Sequence, residues 1–277
     1  MSAQDGVHVR SPGDRENGSE SWLTGIVAGA VGGFSSMAVA AGGNMATVGS
    51  APTWYSPSNI PVFNAAGLFS SELISPETLD SVAAYFRELA HPYSVIILDG
   101  LVPEATQTLS DLDYVQIDSM PAMWLEDIDT ALERAGSPAD RVEVKRVEGG
   151  MEKATFRSIL LQVFEMPPRE VEIILTDKAF EMPNIYHYIA RSDESTVGTA
   201  SLVTCGEIAG IWNVGTLVQH RRRGIAIQMM KYALAEAQAV GCRSSMLLAS
   251  RDGTPLYERL GYSTLSTLRV FVPTGRR

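Results

Sequence analysis

The sequence contains 277 residues, of which 45% are hydrophobic, and it carries a formal net charge of -10. A chain of this length and composition can bury one large core or two small ones, which excludes general disorder, and its acidity argues against nucleic acid or an anionic membrane as the main partner. Its two cysteines and four histidines are too few for a disulfide framework and leave little for a metal site, so we expect no metal and a reducing, cytoplasmic setting.

The N-terminal part combines a polar segment with a long uncharged one. Residues 1–20 mix charges with Gly, Ser and Pro and have no hydrophobic period, which predicts a flexible polar tail. No charged side chain occurs at residues 22–71, and residues 23–41 are rich in glycine and alanine. Their length would suit a membrane span, but glycine and serine replace the bulky residues that drive insertion, and the acidic residues before the run do not suit a signal peptide. We therefore predict a buried helix at residues 23–41.

The rest of the first half predicts strands and helices in alternation. Ser75 and Pro76 supply an N-cap and a first-turn proline, which mark the start of a helix. Continuous apolar runs indicate buried strands. The predicted elements are a strand at Pro61–Phe69, a helix from Ser75 to about Ala90, a strand at Tyr93–Leu98, a short helix at Glu104–Leu112 and a strand at Val115–Leu125.

The second half repeats this order of elements after a linker. The linker is predicted at Ala135–Arg141, where turn-forming residues cluster. Aligning Leu112–Tyr114 with Leu260–Tyr262 brings the other elements of the two halves into correspondence, which suggests duplication of one supersecondary plan. The predicted elements are strands at Val142–Arg146, Asn184–Arg191, Thr196–Thr204, Ile208–Leu217, Ser244–Ala249 and Thr264–Val272, and helices at Lys153–Phe164, Arg169–Thr176, Gly224–Val240 and Thr254–Leu260.

These elements predict an α+β fold in which mixed, mostly antiparallel sheets are flanked by helices. The composition divides the chain into three segments. We predict the flexible tail at residues 1–20, an N-terminal domain at residues 21–134 and a C-terminal domain at residues 142–277.

A short basic run, Arg221–Arg223, stands out in this acidic chain because of where it lies. It falls between a predicted strand and a predicted helix that starts at Gly224. The unpaired backbone N–H groups and the dipole at a helix N-terminus bind phosphate groups, and Gly224 and Ala226 are small enough to let a diphosphate approach. A nucleic-acid or localisation patch would leave the glycine unexplained. A Walker loop is excluded because no Lys-Ser/Thr pair follows, and the dinucleotide fingerprint lacks its first glycine turn.

The pattern resembles the GNAT superfamily of acyl-CoA N-acyltransferases over residues 142–272. The glycine motif at Arg221–Ala226 is followed, at the family's spacing, by Ser250, Tyr257 and the turn Leu260–Tyr262. The resemblance implies that acetyl-CoA, the acyl donor, lies between the splayed strands Ile208–Leu217 and Ser244–Ser250. It further implies catalytic roles for Tyr257, which would protonate the departing thiolate, and for the strand N–H near Asn213, which would stabilise the oxyanion. The implied cofactor-binding residues are Val214, Gly215, Thr216, Arg221, Arg222, Arg223, Gly224, Ile225, Ala226, Ile227 and Ser250.

The group that deprotonates the attacking amine is left open by the sequence. Glu207 lies at the start of a strand, and Asn213 cannot accept a proton. His187 lies on a predicted strand, where one step of alternation decides whether it faces the site or the core. Water relay to solvent is the remaining route. Tyr257 itself is either the general acid or a packed helix tyrosine.

The first half lacks the corresponding phosphate loop. Its segment Ser70–Glu77 contains no arginine or glycine, and its two glutamates would repel phosphate. It resembles the degenerate half of two-lobed tandem bacterial GNAT proteins, including a Pro-x-Phe-Asn segment at Pro61–Asn64. Two roles remain open for it, a wall for the acceptor cleft or a scaffold that covers sheet edges.

The sequence thus predicts an enzyme that transfers an acetyl group from acetyl-CoA to a primary amine of a small molecule. The alternatives are an acyl-CoA-binding module without turnover and an acyl-CoA hydrolase or decarboxylase, neither of which needs an amine pocket. The expected partner is the small-molecule amine, with no nucleic acid and no membrane, and the expected assembly is a monomer or homodimer.

Overall fold

A computed structural model describes residues 12–134, 142–193 and 195–275, with the side chains of residues 12–20 left out. Its strands form one sheet with helices on both faces, which confirms the predicted α+β fold class. The helices are α1 (Pro12–Ala40), α2 (Pro76–Leu89), α3 (Ala105–Asp111), α4 (Ile128–Arg134), α5 (Gly150–Phe164), α6 (Pro168–Ile174), α7 (Ile225–Ala239) and α8 (Thr254–Arg259). The strands are β1 (Asn44–Val48), β2 (Ala51–Tyr55), β3 (Ala65–Gly67), β4 (Ser94–Leu98), β5 (Tyr114–Leu125), β6 (Val142–Arg146), β7 (Ile185–Ser192), β8 (Ser195–Cys205), β9 (Ile208–Thr216), β10 (Ser244–Leu248) and β11 (Ser263–Pro273).

The N-terminal region differs from the prediction in three places. Helix α1 begins at Pro12, inside the segment predicted as a tail, because proline is well suited to the first turn of a helix. The hairpin β1–β2 was not predicted; its turn residues Gly49 and Ser50 both have positive φ, a geometry that fits a tight hairpin. The strand predicted at Pro61–Phe69 is wrong in its first part, where Pro61–Phe63 forms a 3-10 turn and only β3 is extended. Residues 1–11 and the linker at 135–141 lie outside the described residues.

The sheet is built from two similar parts that meet at its centre. Its strand order is β1-β2-β3-β4-β11-β5-β10-β9-β8-β7-β6. Each half contains a parallel pair connected through a helix, β3-α2-β4 in the first and β9-α7-β10 in the second. The final strands of the halves, β5 and β11, pair antiparallel with each other and so join the halves into one sheet. Asp113 and Gly261, which the alignment of the halves equates, both have positive φ at the turn before these strands.

Helix α1 packs against one face of the sheet through its glycines. A Cβ atom built on Gly25 would lie 2.5 Å from Trp124, and one on Gly33 would lie 2.3 Å from Cζ2 of Trp212. The segment Ser21–Ala40 is long and apolar enough to cross a membrane by composition, but half of its apolar window is buried inside the fold. Close packing against the indole rings therefore accounts for the glycines that weaken this segment as a membrane span.

Substituting Gly33 with alanine should test this packing. Alanine gains about 1 kcal/mol of helix propensity over glycine, but the new methyl group would overlap the Trp212 ring, and overpacking of a core costs about 1–3 kcal/mol. The neighbouring residue on α1, Phe34, also packs edge-on against this ring, with centroids 5.0 Å apart. We expect the free energy of unfolding, measured by urea denaturation, to fall by up to about 2 kcal/mol, the overpacking cost less the gain in helix propensity.

The matched control is Gly150→Ala at the start of α5, where an added Cβ meets nothing within 4 Å. That change should leave the stability unchanged or raise it by up to about 1 kcal/mol. Equal effects of the two substitutions would show that α1 does not rest on Trp212 as described.

Candidate functional site

Strands β9 and β10 form a wedge that is closed at one end. Their parallel pairing runs from Ile208 opposite Ser244 to Ile211 opposite Leu247, after which β9 continues beside β8 while β10 remains with β5. At the closed end Ser245 Oγ donates to the backbone oxygen of Ala209 at 2.8 Å. The hydroxyl of Tyr262 lies 2.6 Å from Ser245 Oγ and donates to it, because the Ser245 proton is already used. Beyond Ile211 the two strands diverge, as expected for a site that accepts an extended ligand between them.

A β-bulge interrupts β9 where the wedge opens. Thr199 pairs with Gly215 and Ser201 with Trp212, so that Asn213 and Val214 together oppose the single residue Ala200. Asn213 has a φ of 54°, in the left-handed region that asparagine tolerates better than most residues. A bulge leaves its extra residue out of the regular ladder and redirects the strand. The diverging part of β9 therefore carries the predicted catalytic residue Asn213. It also carries three of the predicted cofactor-binding residues, Val214, Gly215 and Thr216.

The loop after β9 presents an open helix N-terminus. Gly224 is the N-cap of α7 with a φ of 78°, and no side chain caps this helix. The first intrahelical bond runs from Gln228 N to Gly224 O at 3.1 Å, so the amides of Ile225, Ala226 and Ile227 precede the helical ladder. Together with the helix dipole they form a site suited to a phosphate group.

The three arginines of this loop are exposed. Arg221 folds back, with Nε donating to Thr216 O at 3.2 Å. Arg222 has a φ of 60°, and within the described ranges neither Arg222 nor Arg223 forms an ion pair. Arg222 and Arg223 thus place two positive charges next to an open helix N-terminus. These charges can neutralise the negative charge of a diphosphate bound there.

Ser250 and Tyr257 follow β10 in the chain, in the turn before α8 and in α8 itself. Tyr257 is buried in α8, and burial raises the pKa of its phenol to about 12. Its ring lies in the same apolar cluster as Ile225 at the start of α7 and Ala249 at the end of β10. Ser250 Oγ accepts from Gly253 N at 3.1 Å, which stabilises the turn before α8. Tyr257 is thus a buried member of the cluster beneath α7 and α8, with its ring 6.0 Å from that of Tyr262, and Ser250 has a local structural partner.

A cleft that is partly open to solvent adjoins the bulge, and its empty space, including the solvent at its open mouth, amounts to about 580 Å³. The C-terminal part of α1 forms one side, helices α5 and α6 form another, and strands β7, β8 and β9 form the floor. Asn213 lines this cleft and also lies on the bulge of β9, so the cleft adjoins the part of β9 that diverges from β10. The lining residues are Met37, Ala38, Ala40, Ser56, Phe63, Leu160, Met166, Ile174, Leu175, Ala179, Ile185, His187, Ser201, Val203 and Asn213.

A chain of hydrogen bonds connects the floor of the cleft to the bulge. His187 Nε2 lies 3.3 Å from Ala179 O, which can only accept, so this nitrogen carries the proton. His187 Nδ1 then accepts from Ser201 Oγ at 2.9 Å, and Ser201 Oγ accepts from Asn213 Nδ2 at 3.1 Å. His187 and Ser201 are directly opposed on β7 and β8. Sequence reasoning left the orientation of His187 open and did not identify Ser201, because the strand register that pairs them was unknown.

The buried imidazole should make the stability of the protein depend on pH. The pKa of His187 is lowered from 6.5 to about 4, mainly by burial and in smaller part by the positive charges of Arg146 and Arg157, while the hydrogen bond to Ala179 O acts in the opposite direction. The unfolded chain therefore binds more protons than the folded one between these values, and stability falls as the pH drops from about 6.5 to about 4. We expect a loss of about 3 kcal/mol from this group. In His187→Gln, unfolding experiments at pH 7 and pH 4.5 should differ less than in the wild type, and an unchanged difference would contradict the buried neutral state.

The first half supplies one wall of the cleft through a buried polar junction. Asn64, predicted as part of the Pro-x-Phe-Asn segment, accepts from Ser56 N at 2.7 Å and donates to Ser58 O at 2.7 Å. Ser58 Oγ in turn donates to Oε2 of Glu170 on α6 at 2.6 Å. All four side chains are buried. The loop between β2 and β3 is thereby fixed to the second half, with Ser56 facing the cleft.

The equivalent helix start in the first half is closed. Ser75 Oγ accepts from Thr78 N at 3.2 Å, and Pro76 has no N–H to offer. The side-chain cap thus occupies the position that a phosphate would take at the start of α2. Among the described residues, no group of three or more His, Cys, Asp or Glu side chains could hold a metal ion.

Comparisons with known proteins show a related domain and a similar fold. Residues 183–264 match the family model described as an acetyltransferase (GNAT) domain. A search of curated proteins finds no match. A GCN5-related N-acetyltransferase from Kribbella flavida shares 19% identity and a TM-score of 0.66, over 84% of this chain and 90% of that one.

Two further solved structures are similar. A GCN5-related N-acetyltransferase from Sphaerobacter thermophilus has 17% identity and a TM-score of 0.56, covering 75% of this chain and 72% of its own. A tandem GNAT protein from the clavulanic acid biosynthesis pathway has 13% identity and a TM-score of 0.55, covering 80% of this chain and 77% of its own. At these identities the likeness concerns the fold, and it confirms the predicted tandem GNAT-like architecture.

Proposed function

Because this chain carries a GNAT acetyltransferase domain at residues 183–264, we propose that it transfers an acetyl group from acetyl-CoA to a primary amine of a small molecule. The observation that carries this proposal is the open N-terminus of α7 at the mouth of the β9–β10 wedge. It has no side-chain cap, and exposed arginines precede it. We place the reaction in the cytoplasm, in keeping with the acidic composition and the low cysteine content.

In this proposal the donor is held by backbone groups more than by side chains. The diphosphate would bind the amides from Arg222 to Ile227, with Arg221, Arg222 and Arg223 neutralising its charge. The pantetheine arm would pair with β9 from Val214 to Thr216 in the manner of an added strand. The thioester would then lie at the bulge, where the wedge and the cleft meet.

The chemistry proposed is direct transfer. The amine nitrogen attacks the thioester carbonyl, a C–N bond forms, and the C–S bond breaks. The backbone N–H near Asn213 or Val214 stabilises the oxyanion, since a fixed donor aimed at developing charge lowers the barrier. Tyr257 gives its proton to the departing thiolate, and the proton released by the amine passes to water.

His187 has a supporting part in this mechanism. Its Nδ1 is occupied by Ser201 and its Nε2 by Ala179, so both nitrogens already have partners. The imidazole is buried and neutral, which makes it a poor acceptor for a further proton. We propose that it positions Ser201 and, through Ser201, the Asn213 side chain at the bulge.

The test begins with isothermal titration calorimetry of the purified protein with acetyl-CoA, CoA and propionyl-CoA. Saturable binding is expected for all three because the diphosphate is common to them. Incubation with acetyl-CoA and an amine library should then release CoA thiol and give acetylated amine in equal amounts by mass spectrometry. No binding of any of the three would exclude the proposal at its first step.

A second candidate, hydrolysis of acyl-CoA, is favoured by one observation. Ser201 Oγ lies 2.9 Å from His187 Nδ1 within the cleft, a serine–histidine contact of the kind found beside oxygen nucleophiles, although the lowered pKa makes this imidazole a weak base. Hydrolysis would release thiol at the same rate with and without amine and would produce acetate. Amine-dependent thiol release would favour the transferase.

A further inference from the structure

The cleft beside the bulge is uncharged. Apart from four neutral polar side chains, its lining within the described residues is aliphatic, aromatic or thioether, and no Asp, Glu, Lys or Arg contributes to it. The polar members are Ser56, His187, Ser201 and Asn213. A ligand that enters this space therefore exchanges water for apolar surface along most of its length.

The charged groups around the cleft do not compensate for a bound cation. Glu170 is buried nearby, but its Oε2 already accepts from Ser58 Oγ at 2.6 Å and from Asn59 N at 3.0 Å. The charges that act on His187 at the floor are those of Arg146 and Arg157, and both are positive. A second ammonium group inside the cleft would lose its hydration without meeting a carboxylate among the described lining residues.

The polar groups are concentrated where the reaction would occur. Ser201 Oγ uses its proton toward His187 and one lone pair toward Asn213, which leaves one lone pair. The amide oxygen of Asn213 is a second acceptor at the same place. Two neutral acceptors can orient the N–H bonds of a free amine, but they cannot replace a counter-ion for an ammonium.

From this distribution we infer that the acceptor is a primary amine on an uncharged, apolar body, such as an alkyl or arylalkyl amine, and that it is bound as the free base. The inference rests on the proposed acetyl transfer and names its substrate class. The apolar body occupies the space between α1 and helices α5 and α6, and the amino group reaches Ser201 and Asn213. Polycationic amines and amino acids are excluded by the absence of a partner for their additional charges among the lining residues.

A pair of acceptors of equal length tests this directly. Hexylamine and 1,5-diaminopentane have the same number of heavy atoms and differ at the far end, where one has a methyl group and the other an ammonium. With saturating acetyl-CoA, we expect kcat/KM for hexylamine to exceed that for 1,5-diaminopentane at least tenfold. Equal values or the reverse order would overturn the inference while leaving the acetyltransferase function intact.

Binding without turnover separates the two proposals. Calorimetric titration of the protein with hexan-1-ol, which is uncharged, and with 1,5-diaminopentane needs no acetyl-CoA. We expect hexan-1-ol to bind more tightly, and a preference for the diamine would overturn the inference. If hexan-1-ol binds but neither amine is acetylated, the proposed function fails and the apolar character of the cleft stands.

Two substitutions connect the preference to this cleft. Met166 and Ile174 line it and are half-buried, so a carboxylate introduced at either position can remain hydrated. Met166→Glu should lower the ratio of kcat/KM for hexylamine to that for 1,5-diaminopentane at least tenfold. Ile174→Glu should lower the same ratio, and it takes the place of Met166→Glu in the test if that variant does not fold.

Met151→Glu is the matched control, because Met151 is on α5 at 85% exposure and outside the cleft. The control should keep the wild-type ratio. A ratio unchanged in both cleft variants would show that the acceptor binds elsewhere.

Discussion

Replacing Gly224 with glutamate is expected to abolish acetyl-CoA binding. Gly224 has a φ of 78° at the N-cap of α7, and no side-chain capping bond is formed there within the part of the chain that the structure describes. Glutamate would bring a carboxylate to the position proposed for the diphosphate, where it both fills the space and repels the ligand. We expect the dissociation constant measured by calorimetry to rise by at least 10³-fold, about 4 kcal/mol.

A control is needed because any side chain at positive φ is strained, by about 1–2 kcal/mol. Gly206, in the turn between β8 and β9, has a φ of 58°, and an added Cβ there meets nothing within 4 Å. Gly206→Glu therefore imposes similar backbone strain and the same charge away from the loop. It should bind acetyl-CoA as the wild type does. Tight binding by Gly224→Glu would refute the assignment of the loop.

Replacing Tyr257 with phenylalanine should leave acetyl-CoA binding unchanged and slow turnover by about 10²- to 10⁴-fold, the usual contribution of a general acid. The ring remains in its apolar cluster, so the fold is kept and only the proton donor is lost. Because burial raises the pKa of the phenol to about 12, Tyr257 stays protonated from pH 6 to pH 9. The ratio of wild-type to variant kcat should therefore be constant over this range.

Tyr55→Phe provides the comparison, since Tyr55 lies in the first half beside His91 and away from the wedge. Its kcat should match that of the wild type. A normal kcat in Tyr257→Phe would show that Tyr257 only packs in its helix and that water protonates the thiolate.

Local sequence signals were sufficient for most of the second half. Strand β6 has the predicted bounds, and the other strands and helices of this half end within a few residues of the prediction. The reason is that caps, turn residues and apolar periods act within a few residues of each other. The phosphate loop can also be predicted from such local signals, because a strand, three arginines, a glycine and a helix follow one another directly in the sequence.

Features that depend on the register between strands could not be predicted from the sequence. The His187–Ser201 pair requires the alignment of β7 with β8, and the divergence of the wedge requires that β10 leave β9 after Leu247. The neutrality of the cleft is also a tertiary property. It arises because α1 and the Ser56 loop from the first half meet α5 and α6 from the second.

The central position of β5 and β11 determines how this chain can fold. Strand β5 lies between β10 and β11, and β11 lies between β4 and β5, so neither half completes its sheet without a strand from the other. Such pairings join residues that are far apart along the chain, which raises the contact order and slows folding. During synthesis β5 has neither neighbour until β10 has been made, and it lacks β11 until the last strand has been made. A copy of either half expressed alone would expose an unpaired strand edge, the kind of surface through which chains aggregate.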